Sequence, residues 1–251
     1  MSELQKIKYE TVADVDALSK QVADWLLDIA AGTSGPVAIC LSGGSTPRTL
    51  YERLAEAPYR DRFPWSRTHV FWGDERFVPR GDPLSNYRMA NDALLSRVPI
   101  PAANVHPIPT EGLTPEEAAR RYEQALKSFY EATRGATMRR LFDVTLLGLG
   151  EDGHLASLFP GSDALQERER WVVAVTGVKP EARITLTYPA LENSANSAFL
   201  VAGDQKNEML ARFRRHDETL PAVHFRPLGE LRVVADEKAA GARDLHERTP
   251  N

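Results

Sequence analysis

The chain has 251 residues, and 31 Lys+Arg against 35 Asp+Glu leave a formal net charge of −4 at pH 7. With 42% hydrophobic and 26% charged residues it has the composition of an ordinary globular protein and enough length for a substantial core. The mild acidity removes the electrostatic footprint of a nucleic-acid binder, leaving room for a local basic pocket, and no apolar stretch approaches the ~20 residues that cross a bilayer.

Met1-Ser2-Glu3-Leu4-Gln5-Lys6 leads into polar sequence rather than a secretion signal, so the expected location is cytoplasmic. Val15, Leu18, Val22, Trp25, Leu26 and Ile29 recur at helical spacing, with Gly32 where a C-cap would sit. Val37 to Leu41 is an unbroken apolar run, read as a strand buried on both faces, and the single cysteine, Cys40, lies inside it. One cysteine excludes a disulfide framework and a cysteine metal site within the chain. Ser42-Gly43-Gly44-Ser45-Thr46-Pro47 follows, with Thr46 read as the N-cap of a helix carrying Leu50 and Leu54.

Strand and helix then keep alternating. Thr68 to Trp72 reads as a strand, Gly73 to about Pro83 as a loop, and Met89, Ala93 and Leu94 as part of a helix. The Pro-rich stretch from Val98 to Pro109 reads as a surface connection. Thr114-Pro115-Glu116-Glu117 is a capping box that opens a helix with Ala118, Tyr122, Leu126 and Phe129 on one side. Further strands are expected at Phe142 to Leu147, Trp171 to Thr176, Ala198 to Ala202 and Leu231 to Ala235, with a strand-to-helix turn near Ile184 to Glu192 and a helix from Asp204 to Phe213. This alternation predicts a single α/β domain over residues 1–251, with a mainly parallel sheet and helices on both faces in three layers.

In such sheets ligands bind beyond the carboxyl ends of the strands, and three polar clusters follow directly after predicted strands. Ser42, Gly43, Gly44, Ser45 and Thr46 offer consecutive N–H groups and a helix N-terminus, which suit a phosphate. Their spacing matches neither the Walker pattern nor G-x-G-x-x-G. Asp74-Glu75-Arg76 supplies an arginine for a phosphate or carbonyl and two carboxylates, one of which can orient substrate hydroxyls. Gly148-Leu149-Gly150-Glu151-Asp152-Gly153-His154 puts Asp152 and His154 within reach of one site, where a histidine can take and return a proton. Lys206 and, more weakly, Arg183 are additional cations on that edge. His69, His106, His216, His224 and His246 lack such settings, and no histidine spacing suggests a metal. Ser157 does not lie in a G-x-S-x-G elbow, so a serine-hydrolase reading is set aside.

Ser42-Gly-Gly-Ser-Thr-Pro, Asp74-Glu-Arg-Phe-Val-Pro with Ser85-Asn86-Tyr87, Gly148-Leu-Gly-Glu-Asp-Gly-His-Leu-Ala-Ser-Leu-Phe-Pro-Gly161 and Gly203-Asp-Gln-Lys206 together resemble the 6-phosphogluconolactonase family. The matches fall in order between Val37 and Phe213, and it is their combination that is specific. The resemblance implies a modified Rossmann-like fold, no cofactor or required metal, a small phosphosugar lactone as partner, and a monomer or small homo-oligomer. It implies hydrolysis of 6-phospho-D-glucono-1,5-lactone. On this reading His154 activates water, Asp152 holds the imidazole, and Arg76 with glycine-turn N–H groups faces the oxyanion. The 6-phosphate lies on Ser42 to Thr46 with Lys206. The related glucosamine-6-phosphate deaminases typically carry Ile-Ala-Phe-Asn-Glu-Pro after Asp-Gly-His, and tyrosine where this chain has Arg76. Here Leu155-Ala156-Ser157-Leu158-Phe159-Pro160 has no carboxylate. A sugar-phosphate sensor on the same fold is the alternative outside enzymology.

Overall fold

The computed structural model describes residues 7–134 and 139–241; Met1 to Lys6 and His246 lie outside the described residues. In chain order the elements are β1 (Ile7–Val12), α1 (Val15–Gly32), β2 (Val37–Leu41), α2 (Ser45–Leu54), α3 (Tyr59–Arg62), β3 (Thr68–Trp72), β4 (Asp74–Arg76), α4 (Asn86–Ala93), α5 (Pro115–Thr133), β5 (Val144–Gly148), β6 (Val172–Val175), β7 (Arg183–Leu186), α6 (Tyr188–Leu191), β8 (Asn196–Val201), α7 (Asn207–Arg214), β9 (Glu230–Asp236) and α8 (Glu237–Ala240). The apolar runs become the inner strands: β2 is buried along its whole length, and β5 and β8 nearly so. Six strands form one parallel sheet in the order β1-β9-β8-β5-β2-β3. Helices α1 and α2 pack on each other and over strands of this sheet, while α5 packs on β6 and β7 in a three-layer α/β arrangement. Among the described residues no helix is long and apolar enough to cross a membrane.

The strand order positions the site. From β2 the chain crosses to β3 on one side, and the next sheet strand, β5, lies on the other side of β2. The carboxyl ends of β2 and β5 therefore flank a crevice at a switch point, with the loops after both strands opening over it.

Several expectations change. β1 was not foreseen; it joins the sheet edge beside β9, and its half-exposed pattern with Lys8 and Glu10 hides it from a search for apolar runs. The strands predicted at Trp171 to Thr176 and near Ile184 do not enter the parallel sheet. They are β6 and β7, which form an antiparallel three-stranded sheet with β4, inside the stretch read as a loop. Gly32 is the last helical residue of α1, and extended Thr33 caps it by donating its N–H to Ile29 O. Thr46 is not the N-cap of α2. Gly44, at φ 107°, takes that place with no side-chain cap, so the helix begins earlier. The capping box at Thr114 and Glu117 forms as read. The Pro-rich connection is pinned to the sheet through a Val70–Val105 bridge and the His106 N–H donated to Val70 O.

That pinning places two imidazoles together, with His69 Nδ1 and His106 Nε2 3.0 Å apart and His106 stacked on Phe71. Burial, then the neighbouring His69, pulls the His106 pKa from 6.5 down to about 4, and burial with Arg134 lowers His69. Both rings are thus neutral in the fold and bind protons more readily when it unfolds. Stability is fully present above about pH 6.5 and is lost as pH falls towards about 4, because the unfolded chain then binds more protons. Urea midpoints measured across this range will fall with pH, and His106→Gln will flatten part of that slope. The same slope in both proteins would contradict this account.

Candidate active site

A cleft of about 580 Å³ opens over the β2–β5 switch point, lined among others by Ser42, Gly44, Asp74, Arg76, Asp152, His154 and Lys206. The three loop clusters and the Gly203-Asp-Gln-Lys206 turn therefore meet in one place. A volume of this size suits a small polar ligand.

The first wall is the start of α2. Gly44 O accepts the Arg48 N–H at 3.2 Å, which leaves the Ser45 and Thr46 N–H groups ahead of it without an intrahelical partner. With the helix dipole behind them these amides have the chemistry that suits an anion. Ser42 is fixed from below by Tyr51, whose hydroxyl accepts from Ser42 N–H at 2.9 Å and donates to Ser42 O at 2.8 Å. Gly43 lies flat against Asn86: a Cβ there would sit 2.0 Å from Asn86 Oδ1. On this side Ser42 and Gly44 line the cleft, whereas Gly43, Ser45 and Thr46 do not. At the end of β8, Gly203 N–H donates to both oxygens of Asp236, at 3.0 and 3.1 Å, and this buried carboxylate also caps α8 through Ala239 N–H. The Lys206 turn is so tethered to the end of β9.

The second wall is β4. The sequence pattern gave Glu75 no part beyond a loop acid, yet it is 2% exposed and accepts from Arg76, Asn86 and Tyr87 N–H groups at 2.7 Å each and from the Ser85 hydroxyl at 3.1 Å. Burial raises its pKa, opposed by these N–H donors and reinforced by Asp74. Asp74 faces the cleft between the Ser157 hydroxyl, which donates at 2.6 Å, and Asn86 Nδ2 at 3.3 Å. Ser157 is buried, donates its hydroxyl to Asp74 and does not line the cleft. Arg76 donates to Leu84 O at 2.7 Å and pairs across the strands with Arg183. Arg183 does not line the cleft; burial, then Arg76, lowers its pKa, and it stands behind the cleft as added positive potential.

The third wall follows β5. Gly150 N–H donates to His154 O at 2.9 Å and Gly153, at φ 79°, donates to Gly150 O at 3.0 Å, curling the turn so that His154 returns over it. His154 Nδ1 is held by Asp152 Oδ1 in a short hydrogen bond, and Phe159 packs 4.7 Å from the imidazole. Burial works to raise the Asp152 pKa, but the His154 hydrogen bond and charge, with help from Lys179, hold it below the usual carboxylate value. Lys179, from the β6–β7 turn, also lines the cleft and was not anticipated from the sequence. A lysine in a polar turn carries no local signal. Among the described residues no group of three or more His, Cys, Asp or Glu is placed to hold a metal ion.

Fold and cleft together define an α/β protein with a histidine–carboxylate pair and the N-cap of a helix lining one cleft. The sequence profile of the glucosamine-6-phosphate isomerases/6-phosphogluconolactonase family matches residues 13–233. A 6-phosphogluconolactonase of Nostoc sp. is 41% identical over 239 residues, covering 93% of this chain and 96% of its own. Among solved structures, a 6-phosphogluconolactonase from Thermotoga maritima superposes with a TM-score of 0.78 at 33% identity, over 92% of this chain and 100% of its own. A monomeric glucosamine-6-phosphate deaminase shares the fold at 20% identity and a TM-score of 0.78, covering 93% of this chain and 99% of its own. The chain belongs to the glucosamine-6-phosphate isomerase/6-phosphogluconolactonase family.

Replacing Glu75 by Ala leaves the buried Asn86 N–H and the part-buried Arg76 and Tyr87 N–H groups without their acceptor, at ~1–3 kcal/mol for each that water does not reach. Glu75→Ala is expected to lower unfolding free energy by about 3 kcal/mol or more in urea titration. A loss below about 1 kcal/mol would show that the carboxylate does not hold the two walls together.

Proposed function

We propose that this chain is a carboxylic-ester hydrolase that converts 6-phospho-D-glucono-1,5-lactone to 6-phospho-D-gluconate, the second step of the oxidative pentose phosphate pathway. One observation carries the reading: the Asp152–His154 pair shares a single cleft with Ser42 and with Gly44, the N-cap of α2, whose first amides are the proposed anion cradle, and with Lys206. A phosphate seated at the cradle leaves the far end of a six-carbon sugar to reach the imidazole, so remote binding energy orients the lactone carbonyl.

With Nδ1 committed to Asp152, Nε2 is the nitrogen that meets water. As the water oxygen adds to C1, His154 takes its proton, and the ionised Asp152 stabilises the imidazolium so formed. The tetrahedral intermediate then collapses: the C1–O5 bond breaks and the ring oxygen takes the proton from His154. The new carboxylic acid releases one proton to solvent, so each turnover yields a carboxylate and one H⁺. Arg76 and Asp74 bind the phosphosugar from the β4 wall, Asp74 through hydroxyls and Arg76 as a cation, with Arg183 behind it. The Gly150 and Gly153 amides are consumed within their own turn, so these two do not face the oxyanion. Against ring-opening deamination stands the stretch after His154, where Leu158 and Phe159 are buried apolar residues and supply no second acid.

Acid–base catalysis of this kind contributes on the order of 10² to 10⁴ in rate. His154→Ala is expected to lower kcat by at least ~10² while calorimetric binding of 6-phosphogluconate changes only a few-fold; unchanged turnover would remove His154 from the mechanism. Lys206→Ala is expected to raise KM about tenfold or more, as loss of a charge-assisted contact does, with kcat little altered. An effect on kcat alone would move Lys206 away from the phosphate.

A further inference from the structure

Ring opening creates negative charge at C1, where the lactone has none, and creates it beside Asp152, which is already ionised. A nearby donor or cation has to offset this charge. The amides of Gly150 and Gly153 are spent inside their turn, and Arg76 is anchored to Leu84 O on the β4 wall. Lys206 belongs to the tethered turn after β8. Lys179 is the cleft-lining cation that stands next to the histidine–carboxylate pair. Its Nζ lies 3.8 Å from Asp152 Oδ2, too far for a strong hydrogen bond, and 5.0 Å from the centroid of the Phe159 ring that packs on His154. Ammonium, carboxylate, imidazole and aromatic ring thus form a closed group at one end of the cleft. Lys179 rides on the turn between β6 and β7, after Gly177 at φ 76°, with its side chain 40% exposed.

Resting on the lactonase reading, we infer that the Lys179 ammonium contacts the C1 oxygens of the ligand, offsetting the oxyanion of the transition state and then the carboxylate of the product. The uncharged C1 carbonyl of the lactone gains little from it, so the contact strengthens along the reaction and acts on kcat rather than KM. The phosphate end is held by α2 and Lys206, and the C1 end by Lys179, giving the cleft one cationic group for each charged end of the product.

Lys179→Met keeps the aliphatic stem and removes the charge. It is expected to lower kcat by roughly 10- to 100-fold with KM changed less than about threefold. Its dissociation constant for 6-phosphogluconate is expected to rise about tenfold. Glucitol 6-phosphate, which has CH₂OH in place of the carboxylate, should bind the variant and the wild type alike. Lys179→Arg should retain most activity. Lys179→Cys treated with bromoethylamine regains an ammonium at nearly the same reach and should regain kcat; Cys40 is fully buried with its thiol pKa raised, and stays out of that reaction. Wild-type kcat together with an unchanged preference for 6-phosphogluconate over glucitol 6-phosphate in Lys179→Met would overturn the proposal. Failure of aminoethylation to restore an activity lost in the Cys variant would overturn it as well. A wild-type protein that releases no acid from the lactone, yet prefers the carboxylate ligand through Lys179, would overturn the lactonase reading and leave the carboxylate contact standing.

Discussion

Glu75 accepts hydrogen bonds from three backbone N–H groups and a hydroxyl in an almost fully buried position, and the geometry of the cleft depends on it. Its partners come from two places in the chain, β4 itself and the first turn of α4. Binding them together sets Asp74 and Arg76 on one side and Asn86 on the other. Asn86 in turn touches Gly43 closely enough that no larger residue fits there, and it donates to Asp74. A carboxylate so placed cannot move without stranding the buried Ser85 hydroxyl and Asn86 N–H, so the start of α2 and the acid wall on β4 are held in fixed register.

The sequence made the site more legible than the fold that surrounds it. Ser42 to Thr46, Asp74 to Arg76, Asp152 to His154 and Lys206 each follow a strand within a few residues, and in a parallel sheet that local fact is enough to place them on one edge. Pairing between distant segments left no such local mark. β1 joins β9 across nearly the whole described chain, and its mixed polar pattern is what an edge strand in partial contact with water needs. The antiparallel β4-β7-β6 sheet was hidden because apolar runs announce burial and not direction. Glu75 looked like a solvated acid because its four donors are set by tertiary structure. The start of α2 was misplaced because Thr46 and Pro47 are ordinary helix-opening residues, whereas the structure uses the positive φ of Gly44 instead.

Electrostatics explains how a protein of net charge −4 takes an anion. The cleft is lined by Asp74, Glu151 and Asp152 against Arg76, Lys179 and Lys206, with Arg183 behind and a helix N-terminus beneath. The acids are held differently: Asp152 binds the imidazole, and Asp74, fixed by Ser157 and Asn86, faces the cleft, where we assign it to substrate hydroxyls. This division suits a reaction that begins with one anionic end and finishes with two.

The central claim, that this cleft opens a phosphosugar lactone with water, is tested most directly by a pH-stat on freshly generated 6-phosphogluconolactone read against an enzyme-free blank, with ammonia release from glucosamine 6-phosphate followed in parallel. The account predicts acid release far above the spontaneous rate and no ammonia. Acid release at the blank rate, or ammonia from the amino sugar, would contradict it.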